Sequence, residues 1–133
     1  MYLQNNKNVV LYNYILAIGE MRQRMKIHSY YSKNGTDLIK KYIDSLTLDE
    51  QVDAYDVLKQ LEKGCMETLT VKRWEGKVQE VYFYKHNRIF YVVAEGTQIY
   101  LLHACRKQKN KTERRDASIV RSRAKELEKY IKN

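Results

Sequence analysis

The sequence predicts a single α+β domain, and three patterns along its 133 residues support that prediction. Apolar residues recur at helical spacing between positions 36 and 64, alternate with polar residues between 70 and 106, and return to helical spacing after 112. Separate runs of helix and strand are typical of α+β proteins. We expect the domain to span residues 25–133, with residues 1–24 as an N-terminal extension of undetermined structure.

Two short amphipathic helices are expected first. Thr36 is a candidate N-cap for one helix, and Thr47 with Glu50 has the spacing of a capping box for the next, which Gly64 would end. The apolar stripe predicted to face the core on the second helix is Leu48, Val52, Tyr55, Leu58 and Leu61. Its predicted acidic outer face is Asp49, Glu50, Asp53 and Asp56. The helices should form a hairpin with one apolar side.

Four strand candidates follow, at residues 70–74, 78–84, 88–95 and 97–106. Their links have hairpin length, which predicts an antiparallel meander with a strand from 25–31 free to join an edge. Alternate side chains of a strand face the same way. We therefore expect Tyr100, Leu102, Ala104 and Arg106 on one face of the last strand and Leu101, His103, Cys105 and Lys107 on the other.

A basic helix is predicted last, opening at Thr112 or Asp116. The chain has 25 Lys and Arg against 16 Asp and Glu, a net charge of +9. Most of this excess follows residue 100, which indicates an anionic partner such as nucleic acid, an acidic protein or a membrane surface. A solvated helix face is the alternative. The apolar run at 9–18 is about ten residues, too short to span a bilayer, and we expect a cytoplasmic protein.

The cations of neighbouring strands should meet at one end of the sheet, interleaved with tyrosines. Such a surface suits single-stranded RNA, because cations bind phosphate and aromatic rings stack on bases. Glu80 lies among these cations. It is a candidate base, but we favour an ion pair of Glu80 with Arg73 or Arg88. No metal site is expected, since the pair His103 and Cys105 has no second pair near it in the sequence.

Four sequence segments together resemble the RelE/ParE toxin superfamily, and its phage-derived HigB-like branch most closely. Residues 87–91 resemble the branch's R-I-hydrophobic-Y strand, and 101–107 followed by 111–112 resemble its LLH-x-x-x-K…KT segment. Residues 71–74 with 78–81 resemble the VK-x-L and L-x-E-L pair of strands, and 30–35 the first strand and turn. The resemblance covers about residues 25–131. Three residues depart from it: Tyr82 stands at a usual arginine, Gln108 at a usual second lysine and Glu113 at a usual proline.

The resemblance implies a RelE-like fold, with a twisted antiparallel sheet, two N-terminal helices on one face and a basic C-terminal helix. It further implies a type II toxin that cleaves mRNA on the ribosome without metal or cofactor, and a helix-turn-helix, HigA-like antitoxin. The implied catalytic residues are Arg73, Arg88, Lys107 and Tyr91, with His103 as a weaker candidate. The implied RNA-binding residues are Lys72, Arg106, Lys109 and Lys111. A ParE-like toxin that binds gyrase, and a catalytically degenerate binding module, remain alternatives.

Overall fold

A computed structural model of the chain describes residues 24–107 and 112–131. The expected extension, residues 1–24, lies outside the described residues except for Arg24. Lys109 and Lys111 also lie outside them. None of the helices within the described ranges is long and apolar enough to cross a membrane.

Five strands form one sheet, with helices before and after the meander. The elements in chain order are β1 (Lys26–His28), α1 (Leu38–Asp44), α2 (Leu48–Glu62), a short 3-10 helix (Met66–Thr68), β2 (Thr70–Glu75), β3 (Val78–Phe83), β4 (Asn87–Ala94), β5 (Gln98–Arg106) and α3 (Arg114–Tyr130). The strand order across the sheet is β1-β5-β4-β3-β2. This confirms the α+β class and the antiparallel meander from β2 to β5.

The sheet is mixed, however, where we expected an antiparallel one. β1 joins the edge beside β5 as predicted, but it runs parallel to β5, with Lys26 opposite Gln98 and His28 opposite Tyr100. Hairpin links reveal the direction of the four later strands, because a tight turn forces the next strand to reverse. No such link connects β1 to its partner, so its direction could not be derived from local sequence.

The helices cover both faces of the sheet. Two buried clusters define these faces. The first lies between the sheet and the helices α1 and α2, and it contains Ile39, Ile43, Ala54, Val57, Leu61, Val81, Phe83, Ile89, Tyr91, Ile99, Leu101 and Ala104. The second lies under α3, and it contains Val78, Phe90, Val92, Leu102, Cys105 and Val120. The predicted placement of the two N-terminal helices on one face is thus confirmed.

The helix ends partly follow the sequence signals. Thr47 caps α2 as expected, since its hydroxyl accepts a hydrogen bond from the Glu50 amide. Thr36 is not the cap of α1. Asp37 takes that role, and its carboxylate accepts from the Ile39 and Lys40 amides. The last helix begins at Arg114, between the two predicted starts.

The predicted core stripe of α2 is confirmed for Leu58 and Leu61 and wrong for its three other residues. Leu48, Val52 and Tyr55 are 74%, 62% and 45% exposed, so three of the five residues of the expected apolar face are in contact with solvent. The buried side of α2 is instead formed by Glu50, Ala54, Val57 and Leu61. The helix is rotated relative to the prediction because Glu50, which was expected on the outer face, lies inside.

Glu50 is buried because every oxygen of its carboxylate has a donor. The side-chain amide of Asn87 and a guanidinium N–H of Arg106 donate to Oε2 at 2.6 and 2.8 Å, and the Thr47 hydroxyl donates to Oε1 at 2.9 Å. Asn87 also accepts from the Tyr42 hydroxyl at 2.5 Å, which connects α1 to the same network. Hydrogen bonds of this kind offset the cost of removing a carboxylate from water.

We predict that the two leucines of α2 differ sharply in their contribution to stability. Leu61→Ala leaves a cavity in the core and should lower the free energy of unfolding by about 2–5 kcal/mol. Leu48→Ala removes an exposed side chain and should change it by no more than about 0.5 kcal/mol. Urea denaturation followed by circular dichroism measures both values. Similar losses for the two variants would contradict the orientation of α2.

We also predict an acid-sensitive contribution from Glu50. Hydrogen bonds, first that from Asn87 and then those from Thr47 and Arg106, lower the pKa of Glu50 from 4.5 to about 2. A lowered pKa in the folded state gives stability that is complete above the unfolded pKa and is lost as the pH falls towards 2. The difference in unfolding free energy between wild type and Glu50→Gln should therefore shrink between pH 4.5 and 2.

Candidate functional site

A β-bulge in β5 decides which side chains reach the site. The register with β4 shifts between Phe90 and Tyr91, which oppose His103 and Leu101, so Leu102 is an extra residue in β5. The bulge breaks the alternation that we predicted for this strand. Leu101 and Ala104 both face α1 and α2, whereas Leu102 and Cys105 belong to the cluster under α3. His103 also reaches α3, through Asp116.

A buried ion pair forms the centre of the site on the α3 face. A guanidinium N–H of Arg88, from the start of β4, donates to Glu80 Oε2 in β3 at 2.9 Å, and the two side chains are 2% and 7% exposed. This confirms the predicted ion pair of Glu80, with Arg88 and not Arg73 as the partner. Among the described residues, no group meets hydrogen-bond geometry with the buried Nε and Nη2 atoms of Arg88, although the Tyr82 hydroxyl and the Cys105 thiol lie close to the guanidinium. Buried donors without acceptors are costly, so this guanidinium has unused capacity for an anion.

Tyr82 lies against the ion pair and contacts two further cations. Its hydroxyl donates to Glu80, and the ammonium nitrogens of Lys72 and Lys107 lie 5.4 and 5.2 Å from the centre of its ring. Lys107 also lies 3.4 Å from the Tyr82 hydroxyl. Burial, and then the hydrogen bond to Glu80, raise the pKa of Tyr82 to about 12, so the phenol is neutral at pH 7.

Lys72, Tyr82, Arg88 and Lys107 are called the cation site below. They come from β2, β3, β4 and the end of β5, and they meet at one end of the sheet as the sequence analysis expected. The site holds three cations, of which Arg88 is paired with the Glu80 carboxylate while Lys72 and Lys107 contact Tyr82, so the cluster is positive overall. Its chemistry suits a phosphate group, which accepts hydrogen bonds from guanidinium and ammonium groups.

Arg73 and Tyr91, two predicted catalytic residues, lie away from this cluster. The neighbours of Arg73 in β2, Lys72 and Trp74, reach the α3 face, so Arg73 itself points to the other face. Its Nε atom donates to the Gly76 carbonyl at 3.1 Å. Tyr91 is 2% exposed within the core under α1 and α2, where burial raises its pKa to about 12. Neither side chain is available to a ligand at the cation site.

Arg106 is also on the opposite face from Arg88, because it binds Glu50 of α2. Its guanidinium is partly exposed, but one of its donors is committed to the Glu50 network. The sequence analysis grouped it with the cations of the strand end. The predicted alternation of β5 had already placed Arg106 with Ala104, on the face opposite Lys107, and Arg106 faces α1 and α2 as Ala104 does.

A second group of chemically active side chains lies beside the cation site; the sequence analysis paired His103 with Cys105 but missed the third member, Asp116. His103 Nε2 lies 2.8 Å from Asp116 Oδ1, at the start of α3, and Cys105 is the neighbour of both. The three potential ligand atoms lie within 4.8 Å of one another. Asp116 was missed because only the docking of α3 on the sheet, and no sequence spacing, brings it to His103.

The electrostatics of this ligand cluster (His103, Cys105 and Asp116) favour neutral ring and thiol groups. Burial lowers the pKa of His103, and the nearby Asp116 acts in the opposite direction. Burial raises the pKa of the Cys105 thiol to about 12. Both groups are therefore uncharged at pH 7, and the thiol is not poised to act as a nucleophile by itself.

One comparison with known families extends over most of this architecture. The sequence model of a family described as phage-derived protein Gp49-like matches residues 41–125, more than half of the chain. The matched segment includes all four residues of the cation site and all three of the ligand cluster. No curated protein matches the sequence at a significant level.

We predict that Glu80 is essential for stability because it is the only carboxylate bonded to the Arg88 guanidinium in the described structure. Glu80→Gln should lower the free energy of unfolding by about 3–5 kcal/mol, since it leaves a buried charge unpaired. Replacing both partners, in Glu80→Leu with Arg88→Met, should recover most of that loss. Chemical denaturation of the three proteins measures these values.

The control is Glu75→Gln, which removes an exposed carboxylate paired with Arg121 at 2.7 Å. Exposed pairs contribute at most about 1 kcal/mol, so this variant should be close to wild type. Equal effects of Glu75→Gln and Glu80→Gln would show that burial of the Arg88 pair carries no special energetic weight.

Proposed function

Because the chain belongs to the Gp49-like family of phage-derived proteins, which lies within the RelE/ParE-like toxin superfamily, we propose that it is a toxin that cleaves mRNA. Within the superfamily we assign it to the HigB-like branch. It would act in the cytoplasm, on mRNA held by the ribosome. The family implies an antitoxin partner, and we propose that this partner is a helix-turn-helix, HigA-like protein.

The observation that supports cleavage is the state of Arg88. Its Nε and Nη2 atoms are buried without partners among the described residues, and Lys72 and Lys107 lie around the same phenol, that of Tyr82. A phosphate diester at this point would accept the unused hydrogen bonds of Arg88 and offset the excess of positive charge. Binding would require Tyr82 to move aside, since it covers the ion pair.

The proposed reaction uses the 2′-hydroxyl of the RNA as its nucleophile. A base removes the 2′-hydroxyl proton, the oxygen attacks the adjacent phosphorus in line, and the bond to the 5′-oxygen breaks. The products are a 2′,3′-cyclic phosphate and a 5′-hydroxyl, which receives a proton from an acid. Arg88 stabilises charge on the phosphoryl oxygens, and Lys107 transfers a proton or supports the same charge. Lys72 takes the place that we had assigned to Arg73.

The two faces of the molecule then have different roles. The cation site lies on the α3 face, where the exposed basic residues of α3 extend the positive surface towards the RNA backbone. Lys109 and Lys111, in the connection before α3, are proposed to bind the same backbone. The acidic helix α2 lies on the opposite face of the sheet, which keeps its carboxylates away from RNA.

We predict that the cation site is required for toxicity. Expression of the wild-type protein in a bacterial host should arrest growth and create new mRNA 5′ ends, which primer extension detects. Lys107→Ala and Arg88→Ala should each reduce cleavage by about 100-fold or more, since removing one stabilising donor has effects of that size. Lys41→Ala, an exposed lysine of α1 on the other face, is the charge-matched control and should remain toxic.

Each other outcome has a defined meaning. Growth arrest with DNA damage and without new mRNA ends would favour the ParE-like toxin that binds gyrase. An inert wild-type protein that becomes toxic as Tyr82→Arg would favour the degenerate binding module, because Tyr82 stands at a usual arginine position. Arrest that persists in both Arg88→Ala and Lys107→Ala would overturn the proposed site.

A further inference from the structure

A second binding site is assembled where β5 meets the first turn of α3. We propose that His103, Cys105 and Asp116 bind one zinc ion. The three residues offer an imidazole nitrogen, a thiol sulfur and a carboxylate oxygen, all within 4.8 Å of one another. Zinc accepts this mixed set of ligands, whereas magnesium and calcium require oxygen ligands.

The existing distances are close to those that zinc needs. With bonds of about 2.0–2.3 Å in tetrahedral geometry, two ligand atoms of one zinc ion lie about 3.3–3.6 Å apart. His103 Nε2 and Asp116 Oδ1 are at 2.8 Å, so these two groups need to separate by less than an ångström. The Cys105 sulfur would need to move by about 1 Å towards the other two ligand atoms to reach bonding distance of the same zinc ion. A water molecule would complete the coordination.

The surrounding charges set the conditions for binding. Binding converts the Cys105 thiol to a thiolate and releases its proton to solvent, so a zinc ion held by that thiolate and the Asp116 carboxylate is neutral overall. Arg88 and Glu80 face the cluster from the sheet, and Arg115 and Arg123 face it from α3. The arginines oppose a cation but also favour the thiolate. Affinity should fall at low pH, where protons compete for all three ligands.

With three protein ligands and one water molecule, the proposed zinc ion keeps an open coordination position, and it also joins two elements of the fold. Its ligands lie on both sides of the connection between β5 and α3, and this connection begins with Lys107 of the cation site. Joining the two ends would hold α3 against the sheet and restrict the position of Lys107. Zinc binding by the free protein does not depend on RNA cleavage.

Titration of the full-length, tag-free protein with Zn²⁺ in a calorimeter tests the proposal, with Co²⁺ absorbance as a probe of thiolate coordination. Wild type should bind one metal ion per chain and show the thiolate-to-cobalt charge-transfer band. Cys105→Ser should lose that band and bind Zn²⁺ more than about 100-fold more weakly, because loss of a ligand exceeds the 10–100-fold effect of losing its outer partners. Cys65→Ser is the matched control and should bind like wild type.

A second measurement does not depend on how Cys105→Ser folds. In the Cys65→Ser protein the remaining thiol is Cys105, and Zn²⁺ should slow its alkylation by at least tenfold, with reversal by EDTA. Equal alkylation rates with and without Zn²⁺ would overturn the proposal. Binding that is lost in Cys65→Ser and retained in Cys105→Ser would also overturn it.

Discussion

The pairing of β4 with β5 is the constraint on which both faces of the molecule depend. These strands are central in the sheet, and the extra residue Leu102 shifts every later side chain of β5 to the opposite face. Cys105 therefore lies beside Arg88, and Arg106 is directed to Glu50. Without the bulge, Lys107 would face α1 and α2. One backbone irregularity thus determines which cations share a surface.

Two adjacent residues at the start of β4 connect these faces. Asn87 donates to Glu50 on the side of α1 and α2, and Arg88 donates to Glu80 on the side of α3. Each buried carboxylate is held by hydrogen bonds on its own face, and the two systems share consecutive residues of one strand. A shift of β4 by one residue would turn Asn87 to the α3 face and Arg88 to the face of α1 and α2, and it would leave both acids with the wrong partners. The hydrogen bonds required by the two buried carboxylates therefore favour this one register of β4.

Local sequence predicted the features that local chemistry determines. Helical spacing located α1, α2 and α3, alternation located the meander, and the order of cations placed Arg88 near Lys107. The sequence could not show that hydrogen bonds would draw Glu50 inward and turn Leu48, Val52 and Tyr55 outward. It also could not show the bulge, the parallel direction of β1, or the approach of Asp116 to His103. Each of these depends on contacts between residues that are distant in sequence.

The pairing of the edge strand β1 with the last strand determines when the sheet can form during synthesis. β1 leaves the ribosome before any other described strand, but its partner is the last one, and the hydrogen-bonded side chains of His28 and Gln98 are 70 positions apart. At about 5–20 residues per second, synthesis of this stretch takes roughly 4–14 s. During that interval β1 has no strand to pair with, while α1, α2 and the strands β2 to β4 can already assemble. The sheet is completed only after β5, which ends at Arg106, has been translated.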